Sequence, residues 1–275
     1  LRVIDIRPSK DYQAKHIPGA ISAPYGEWRG SPTNPGDLPP LAKLTTLVQA
    51  LGLSPQSHAV VVSSGADSTD FGASARVYWT LKVLGLSQLS ILNGGVNAWS
   101  EAGLAQDANV VKVAASQYVP KLDTSLIATR DQVAAQIDNP NTRLLDARPV
   151  SFFEGDARHP AAKSAGTIHN AVNLDNDKWF KPGTSIFVSL AEAKKIAANA
   201  PHPAATETVA FCNTGHWAAT DWFALSEIVG EKNVKLYPGS MVDWTQASVA
   251  LPMDNVPGRA KKIMSDAKTW ASKTF

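Results

Sequence analysis

The chain contains one cysteine, Cys212, and the sequence around it is typical of a nucleophile. Residues 209–211 are apolar, as at the end of a buried strand, and the apolar residues after Ala218 repeat at helical spacing as far as Gly230. A turn between a strand and a helix points free main-chain amides at its first residues, which favours a thiolate over a thiol. We therefore predict that Cys212 is an exposed nucleophile ringed by main-chain N–H groups. From position alone, the alternative is a small buried side chain without chemistry.

Composition excludes several other classes of protein. The 275 residues are 44% hydrophobic and 18% charged, which suits one large domain or two of average size. The 26 basic and 24 acidic residues leave a net charge of +2 without a basic stripe, so a nucleic-acid partner is not expected. A single cysteine allows neither an internal disulfide nor a thiolate-rich zinc site. No apolar run approaches the roughly 20 residues of a membrane span.

Short apolar runs alternate with amphipathic segments in the first half of the chain. Residues 2–8, 59–62 and 89–92 predict buried strands, whereas residues 41–51 and 75–84 predict helices. Alternating strands and helices form mostly parallel sheets with helices on both faces. The sequence therefore predicts an α/β fold.

The second half of the chain repeats the first half in the same order. Four pairs of segments correspond: 143–149 with 2–8, 167–172 with 16–21, 209–212 with 60–63, and 239–244 with 94–99. Two copies of one α/β unit follow, which we place at residues 1–115 and 116–275.

The second copy has further segments at its two ends. A helical pattern over residues 129–137 precedes its first strand, and a basic amphipathic helix is predicted over residues 259–271. The first copy lacks a counterpart of the 129–137 helix, so we expect its beginning to be missing from the sequence. Bacterial export is favoured over the cytoplasm as the compartment.

The two copies differ at the position of the cysteine. The first copy has Ser63 there, followed by a turn that we expect to be longer, over residues 63–72. The acidic side chains of this turn would repel an anion. The first copy is therefore predicted to be chemically silent.

Together these residues resemble a known family. The Asp-Ala-Arg sequence at 146–148, Cys-x-x-Gly at 212–215, Gly-Gly-Val-Asn-Ala-Trp at 94–99 and the doubled layout resemble the two-domain rhodaneses, the thiosulfate and 3-mercaptopyruvate sulfurtransferases. The resemblance implies two tandem rhodanese-like domains. It also implies that Cys212 takes a sulfur atom from a small donor as a persulfide and passes it to cyanide or a thiol, a protein thiol included. No metal or organic cofactor is implied.

The turn residues Asn213, Thr214, Gly215, His216 and Trp217 are the predicted binding residues beside the cysteine. Inward-facing amides in the turn would stabilise both a thiolate and a persulfide anion. The threonine can add a hydroxyl hydrogen bond or be a plain turn residue. The glycine supplies a backbone conformation that other residues resist.

Arg148 is the predicted binding residue outside the turn. The family places a substrate-binding arginine here, where a guanidinium could hold the sulfonate or carboxylate of the donor. The alternative is an ion pair with Asp146. Arg158 and His159, in an insertion of the second copy, are candidates for the entrance, and a solvated loop is the alternative.

His216 and Trp217 depart from the family's better-known turns, which carry cationic residues or Gly-Ser-Gly-Val-Thr at these places. The departure leaves the choice between thiosulfate and 3-mercaptopyruvate open. The indole of Trp217 could narrow the pocket, stack on an organic acceptor, or pack against the first domain. The remaining histidines lack the spacing of metal ligands and are interpreted as structural: His16, His58, His169 and His202.

Two other functions use the same cysteine. A cysteine phosphatase needs an arginine that grips phosphate, but the corresponding position here is Ala218, which argues against this class. A sulfur carrier or redox-sensing module without turnover has the same residues as the enzyme, and the sequence leaves it open.

Overall fold

The structure is a computed structural model that describes residues 1–202 and 204–258. The basic helix predicted over 259–271 lies outside the described residues. The described chain divides into two compact units, and each unit includes a short segment from the other half of the sequence. The first unit consists of Leu1–Gly30, Leu38–Thr124 and Phe180–Val188, and the second of Ser31–Asp37, Ser125–Trp179 and residues from 189 onward. The predicted boundary between residues 115 and 116 stays a prediction.

The first unit contains a four-stranded parallel sheet with the strand order β2-β1-β3-β4. Its strands are β1 (Arg2–Asp5), β2 (Ile21–Ser22), β3 (Ala59–Val62) and β4 (Leu89–Ile91). Its helices are α1 (Ser9–Ala14), α2 (Leu41–Ala50), α3 (Ser68–Val83) and α4 (Gly95–Glu101), with a 3₁₀ turn at Tyr25–Trp28.

Alternate residues of β3 enter two different apolar clusters, because successive side chains of a strand point to opposite faces. Val61 packs in the cluster that contains Leu44 of α2 and Val77 of α3. Val62 packs in a second cluster with Val96 of α4. Burial on both faces explains why the strand is a continuous apolar run rather than an alternating one.

The second unit repeats this sheet with the parallel order β7-β5-β8-β9 and adds a two-stranded antiparallel sheet, β10-β6. Its strands are β5 (Thr142–Asp146), β6 (Thr167–Ile168), β7 (Val172–Asn173), β8 (Glu207–Phe211), β9 (Val234–Leu236) and β10 (Met253–Asp254). Its helices are α5 (Arg130–Gln136), α6 (Val150–Phe153), α7 (Leu190–Ala198), α8 (Trp217–Trp222) and α9 (Ser240–Thr245). A π-helix (Phe223–Val229) continues α8, and 3₁₀ turns lie at Thr124–Leu126 and Asn176–Trp179.

The matching strand orders confirm the predicted duplication and the α/β fold class. One local prediction is wrong: α3 begins at Ser68 rather than at residue 75. The side chain of Asp67 caps this helix by accepting a hydrogen bond from the main-chain N–H of Asp70. Acidic residues that suggested an extended loop are therefore the N-terminal cap and first turn of a helix.

The predicted difference in turn length is also wrong. The first turn, residues 63–67, joins β3 to α3, and the second turn, residues 212–216, joins β8 to α8, so both contain five residues. In the part of the chain that the structure describes, we find no helix long and apolar enough to span a bilayer.

Candidate active site

Cys212 follows the last residue of β8 and opens the second turn, as the sequence predicts. The preceding Phe211 packs in the apolar core of the second unit. Only 1% of the Cys212 surface is exposed, so the prediction of an exposed nucleophile is wrong. Access of solvent to the sulfur atom is therefore restricted.

Main-chain donors contact the cysteine in part as predicted. The N–H of His216 donates a hydrogen bond to Cys212 Sγ over 3.2 Å. The N–H of Gly215 donates instead to Ser240 Oγ, over 3.1 Å. Gly215 has a φ of 62°, the left-handed conformation that glycine adopts readily, so its predicted backbone role is confirmed.

Ser240 links the second turn to the end of β9. Its hydroxyl accepts hydrogen bonds from the N–H groups of Cys212 (3.0 Å) and Gly215 and donates to the carbonyl of Tyr237 (2.8 Å). Sequence reasoning missed this residue. The available signal was the serine at a position where the first copy has Gly95.

Helix α9 also binds the turn through its main chain. The N–H of Met241 donates to the carbonyl of Cys212, and that of Val242 donates to the carbonyl of Asn213, each over 3.0 Å. The second turn is therefore held by the start of α9 through both a side chain and the backbone.

Arg148 lies inside the second unit, 1% exposed, and binds the carboxylate of Asp146. Its Nε and Nη2 donate to this carboxylate at 2.8 and 2.6 Å, and Nη2 also donates to the carbonyl of Gly166. Nη1 reaches the side-chain oxygen of Asn213 at 3.4 Å. The guanidinium thus connects β5 to the second turn, and its role in binding a donor stays a prediction.

The other predicted binding residues take different positions around the turn. Asn213 and Thr214 are buried, at 5% and 8% exposure, whereas His216 and Trp217 are half-buried. Trp217 packs edge-on against the ring of Phe152 in α6, with 5.8 Å between the ring centroids. The structure therefore brings an aromatic pair to the helix that follows the second turn.

Arg158 and His159 hold their own loop. Arg158 Nη1 donates to the carbonyl of Ala162 over 2.7 Å, and His159 Nδ1 accepts from the N–H of Ala161 over 3.2 Å. These bonds order the insertion. A role for the two residues at the entrance stays a prediction.

Tyr237, whose carbonyl accepts the hydroxyl proton of Ser240, also belongs to a partly buried polar network. The hydroxyl of Tyr237 donates to the carboxylate of Asp243 over 2.6 Å, and Arg130 binds the other oxygen of that carboxylate at 3.0 Å. Burial raises the pKa of Tyr237 far above its ordinary range, and the neighbouring Asp243 raises it further. The tyrosine is therefore a fixed neutral donor that holds the segment carrying Ser240.

The first turn uses its amides differently. The carboxylate of Asp70 accepts from the N–H groups of Gly65 and Ala66 at 2.5 and 3.4 Å. Ser185, in the segment 180–188, donates its hydroxyl proton to the carbonyl of Gly65. Amides of the first turn thus bind a carboxylate from α3, whereas an amide of the second turn binds a sulfur atom.

Potential metal ligands are dispersed in the structure. Among residues 1–202 and 204–258, no group of three or more His, Cys, Asp or Glu side chains could hold a metal ion.

Comparison with known proteins places this geometry in a family. The family model of the rhodanese-like domain matches residues 1–102 and 129–247. A protein of Saccharopolyspora erythraea named "Putative thiosulfate sulfurtransferase" is 31% identical over 257 residues, which cover 89% of this chain and 86% of that protein.

Two solved structures share the fold. SseA from Escherichia coli, a 3-mercaptopyruvate sulfotransferase, has a TM-score of 0.75 at 21% identity, with 87% of this chain and 92% of SseA covered. An anaerobic ergothioneine biosynthesis enzyme from Chlorobium limicola has a TM-score of 0.81 at 17% identity, and the match covers 94% of this chain but 65% of that enzyme. The family model matches two segments of the chain, and the structure has two matching sheets with a cysteine at the end of β8. The chain therefore belongs to the rhodanese family.

Proposed function

We propose that the protein is a sulfurtransferase in which Cys212 takes a sulfane sulfur from a small donor and passes it to a thiophilic acceptor. The observation that carries the proposal is the hydrogen bond from the N–H of His216 to Cys212 Sγ at the carboxyl end of β8. A main-chain donor stabilises negative charge on sulfur without a separate general base. The cycle needs no other functional group on the protein to change its protonation state.

With thiosulfate as donor, the Cys212 thiolate attacks the outer sulfur atom. A bond forms between Cys212 Sγ and that atom, the sulfur–sulfur bond of thiosulfate breaks, and its electron pair leaves with sulfite. Cyanide or a thiolate then attacks the terminal sulfur of the persulfide. The persulfide bond breaks and returns its electron pair to Cys212 Sγ, which regenerates the thiolate.

3-Mercaptopyruvate is the alternative donor. Here the Cys212 thiolate attacks the donor's sulfur, the carbon–sulfur bond breaks, and the electron pair leaves on carbon as the enolate of pyruvate. The thiol proton of the donor completes the methyl group, so that persulfide and pyruvate are the products. Residues 213–217 contain no lysine or arginine that would favour the doubly charged thiosulfate over the keto acid.

Phosphate chemistry does not suit this turn. The position at which a cysteine phosphatase carries its phosphate-binding arginine is Ala218, which is fully buried. A methyl group in the core cannot compensate the charge that develops on a phosphoryl group.

Intact-mass measurement of the purified protein after incubation with each donor tests the proposal. We expect one added sulfur atom on the wild type with thiosulfate, 3-mercaptopyruvate or both, and its removal by cyanide with formation of thiocyanate. Cys212→Ser is the matched control, because it gives the second turn the residue of the first turn, and we expect it to take up no sulfur. Loading by the control would contradict the role of Cys212.

Turnover separates an enzyme from a carrier. Many equivalents of thiocyanate per protein molecule are expected under excess donor and cyanide. A single equivalent without turnover would indicate a sulfur carrier, and no loading with either donor would reject the proposed function. A protein thiol can replace cyanide in the same assay, which tests a protein acceptor.

A further inference from the structure

Ser240 has a backbone conformation that serine rarely adopts. Its φ is 53°, in the left-handed region, and the residue is fully buried. Any residue other than glycine has a strained backbone in this region, and such strain persists only where the surrounding contacts enforce it. The first unit has Gly95 at the corresponding position, with nearly the same φ of 57°.

The Ser240 hydroxyl is fully used in hydrogen bonding. A hydroxyl group has one proton to donate and two lone pairs to accept with. Here the proton goes to the carbonyl of Tyr237, and the lone pairs accept from the N–H groups of Cys212 and Gly215. One oxygen atom therefore fixes the distance between the first and fourth residues of the second turn.

This link determines where the next amide points. His216 directly follows Gly215, and its N–H is the one that donates to Cys212 Sγ. With Gly215 and Cys212 held on one oxygen atom, the peptide between residues 215 and 216 has little freedom to turn away from the sulfur. The Ser240 hydroxyl thus affects the sulfur indirectly, by orienting the peptide between residues 215 and 216.

The first turn shows the packing without a side chain at this position. A Cβ atom built on Gly95 would lie 2.5 Å from the N of Gly65 and 2.5 Å from the carbonyl oxygen of Ser63. The first turn therefore packs directly on the glycine backbone, and its amides bind Asp70. In the second turn, the serine side chain occupies the space between the two backbones.

We propose that Ser240 is a positioning residue for Cys212: its side chain holds the second turn in the arrangement that aims the N–H of His216 at the sulfur atom. The proposal rests on the proposed function for its consequence in sulfur transfer, but its effect on the reactivity of the thiol is independent of any donor. The strain at Ser240 is compensated by the hydrogen bonds that its hydroxyl makes.

The pH profile of Cys212 alkylation by iodoacetamide tests this role, because the protein has no other thiol. We expect Ser240→Gly, which relieves the backbone strain, and Ser240→Ala, which keeps it, both to shift the profile to higher pH by about one unit. Better access to the sulfur would instead raise the rate equally at every pH. Loading with sulfur by the active donor should slow about 10- to 100-fold in both variants.

Ser185→Ala is the matched control, since it removes a buried serine hydroxyl that binds the carbonyl of Gly65 in the first turn. Its alkylation profile should equal that of the wild type. An unchanged alkylation profile in a folded Ser240→Gly or Ser240→Ala protein would overturn the proposal. Either variant is sufficient for this test if the other does not fold. If no donor loads the wild type, the proposed function fails while the alkylation profiles still decide the role of Ser240.

Discussion

The two turns have the same length and the same position at the end of a parallel strand, yet they stabilise different groups. In the first turn the amides of Gly65 and Ala66 bind the carboxylate of Asp70, which belongs to the protein. In the second turn the amide of His216 binds the sulfur of Cys212. A strand-to-helix turn thus provides main-chain donors in both units, for a carboxylate in the first unit and for a cysteine sulfur in the second.

The framework below the turns is almost identical. Arg7 binds Asp5 through Nε and Nη2, at 3.0 and 2.6 Å, and Arg148 binds Asp146 in the same way at 2.8 and 2.6 Å. Because the first unit has the same Asp–Arg pair but no cysteine, the pair is part of the scaffold. In the second unit Arg148 also donates to the side-chain oxygen of Asn213, which ties this scaffold to the second turn.

Exchange of the residues between the turns should have the largest effect. In the double variant Ser63→Cys/Cys212→Ser we expect no sulfur uptake, at least about 10³-fold below wild type, because the Asp70 carboxylate already binds the amides and repels a thiolate. Intact mass after donor incubation measures the result, with Cys212→Ser alone as control. Uptake of one sulfur by the double variant would show that the first turn is not silent.

A triple variant that adds Asp70→Asn to the double variant tests the role of the carboxylate. The change removes the negative charge but keeps an oxygen that can accept hydrogen bonds. Alkylation of the introduced cysteine at neutral pH should then become faster than with Asp70 present. An equal rate would mean that the carboxylate is not what silences the first turn.

Removal of either arginine should be the next largest effect. We expect Arg7→Ala and Arg148→Ala each to lower the free energy of unfolding by about 3–5 kcal/mol, because each leaves a buried carboxylate without its partner. Urea denaturation measures both. Only Arg148→Ala should also raise the Michaelis constant for the donor, since Arg148 contacts the second turn. If either alanine variant unfolds, Arg7→Lys and Arg148→Lys are the milder substitutions to measure. Unchanged donor kinetics would restrict Arg148 to the scaffold.

Replacement of the buried acid Asp221 should have the smallest effect, on stability alone. The indole N–H of Trp28 donates to the carbonyl of Ala23 in the first unit, whereas that of Trp179 in the second unit donates to the carboxylate of Asp221. Burial raises the pKa of Asp221 well above its ordinary value of 3.8. The folded state then holds a proton that the unfolded state releases, so this group lowers stability as the pH rises above 3.8.

Asp221→Asn should remove this loss, because the amide oxygen can still accept from Trp179 and carries no charge. We expect the melting temperature at pH 8 to rise by about 2–4 °C relative to the wild type, with less change between pH 5 and pH 8. Calorimetry at the two pH values measures this. A variant that melts lower at pH 8 would indicate that the charged carboxylate is stabilised in the folded protein.

The elements of the fold were predictable where the signal is local. The apolar run 59–62 became β3, the helix predicted over 41–51 became Leu41–Ala50, and the repeat gave both sheets the same strand order. The beginning of α3 was not predictable from apolar periodicity, because its first turn is polar and is held by the cap at Asp67. The same polar residues are common in helix caps and in loops, so the sequence alone does not distinguish the two.

Apolar spacing and internal repetition are properties of the chain order, and they were enough to place a single cysteine at a strand-to-helix turn in one of two repeated units. The chain order did not show that Cys212 is buried, that Arg148 is bound to Asp146, or that the Ser240 hydroxyl, 28 residues away in the chain, holds the turn. These contacts arise from the packing of the folded chain. Burial and hydrogen bonding depend on which atoms packing brings within about 3 Å of each other, and residue spacing does not fix that distance.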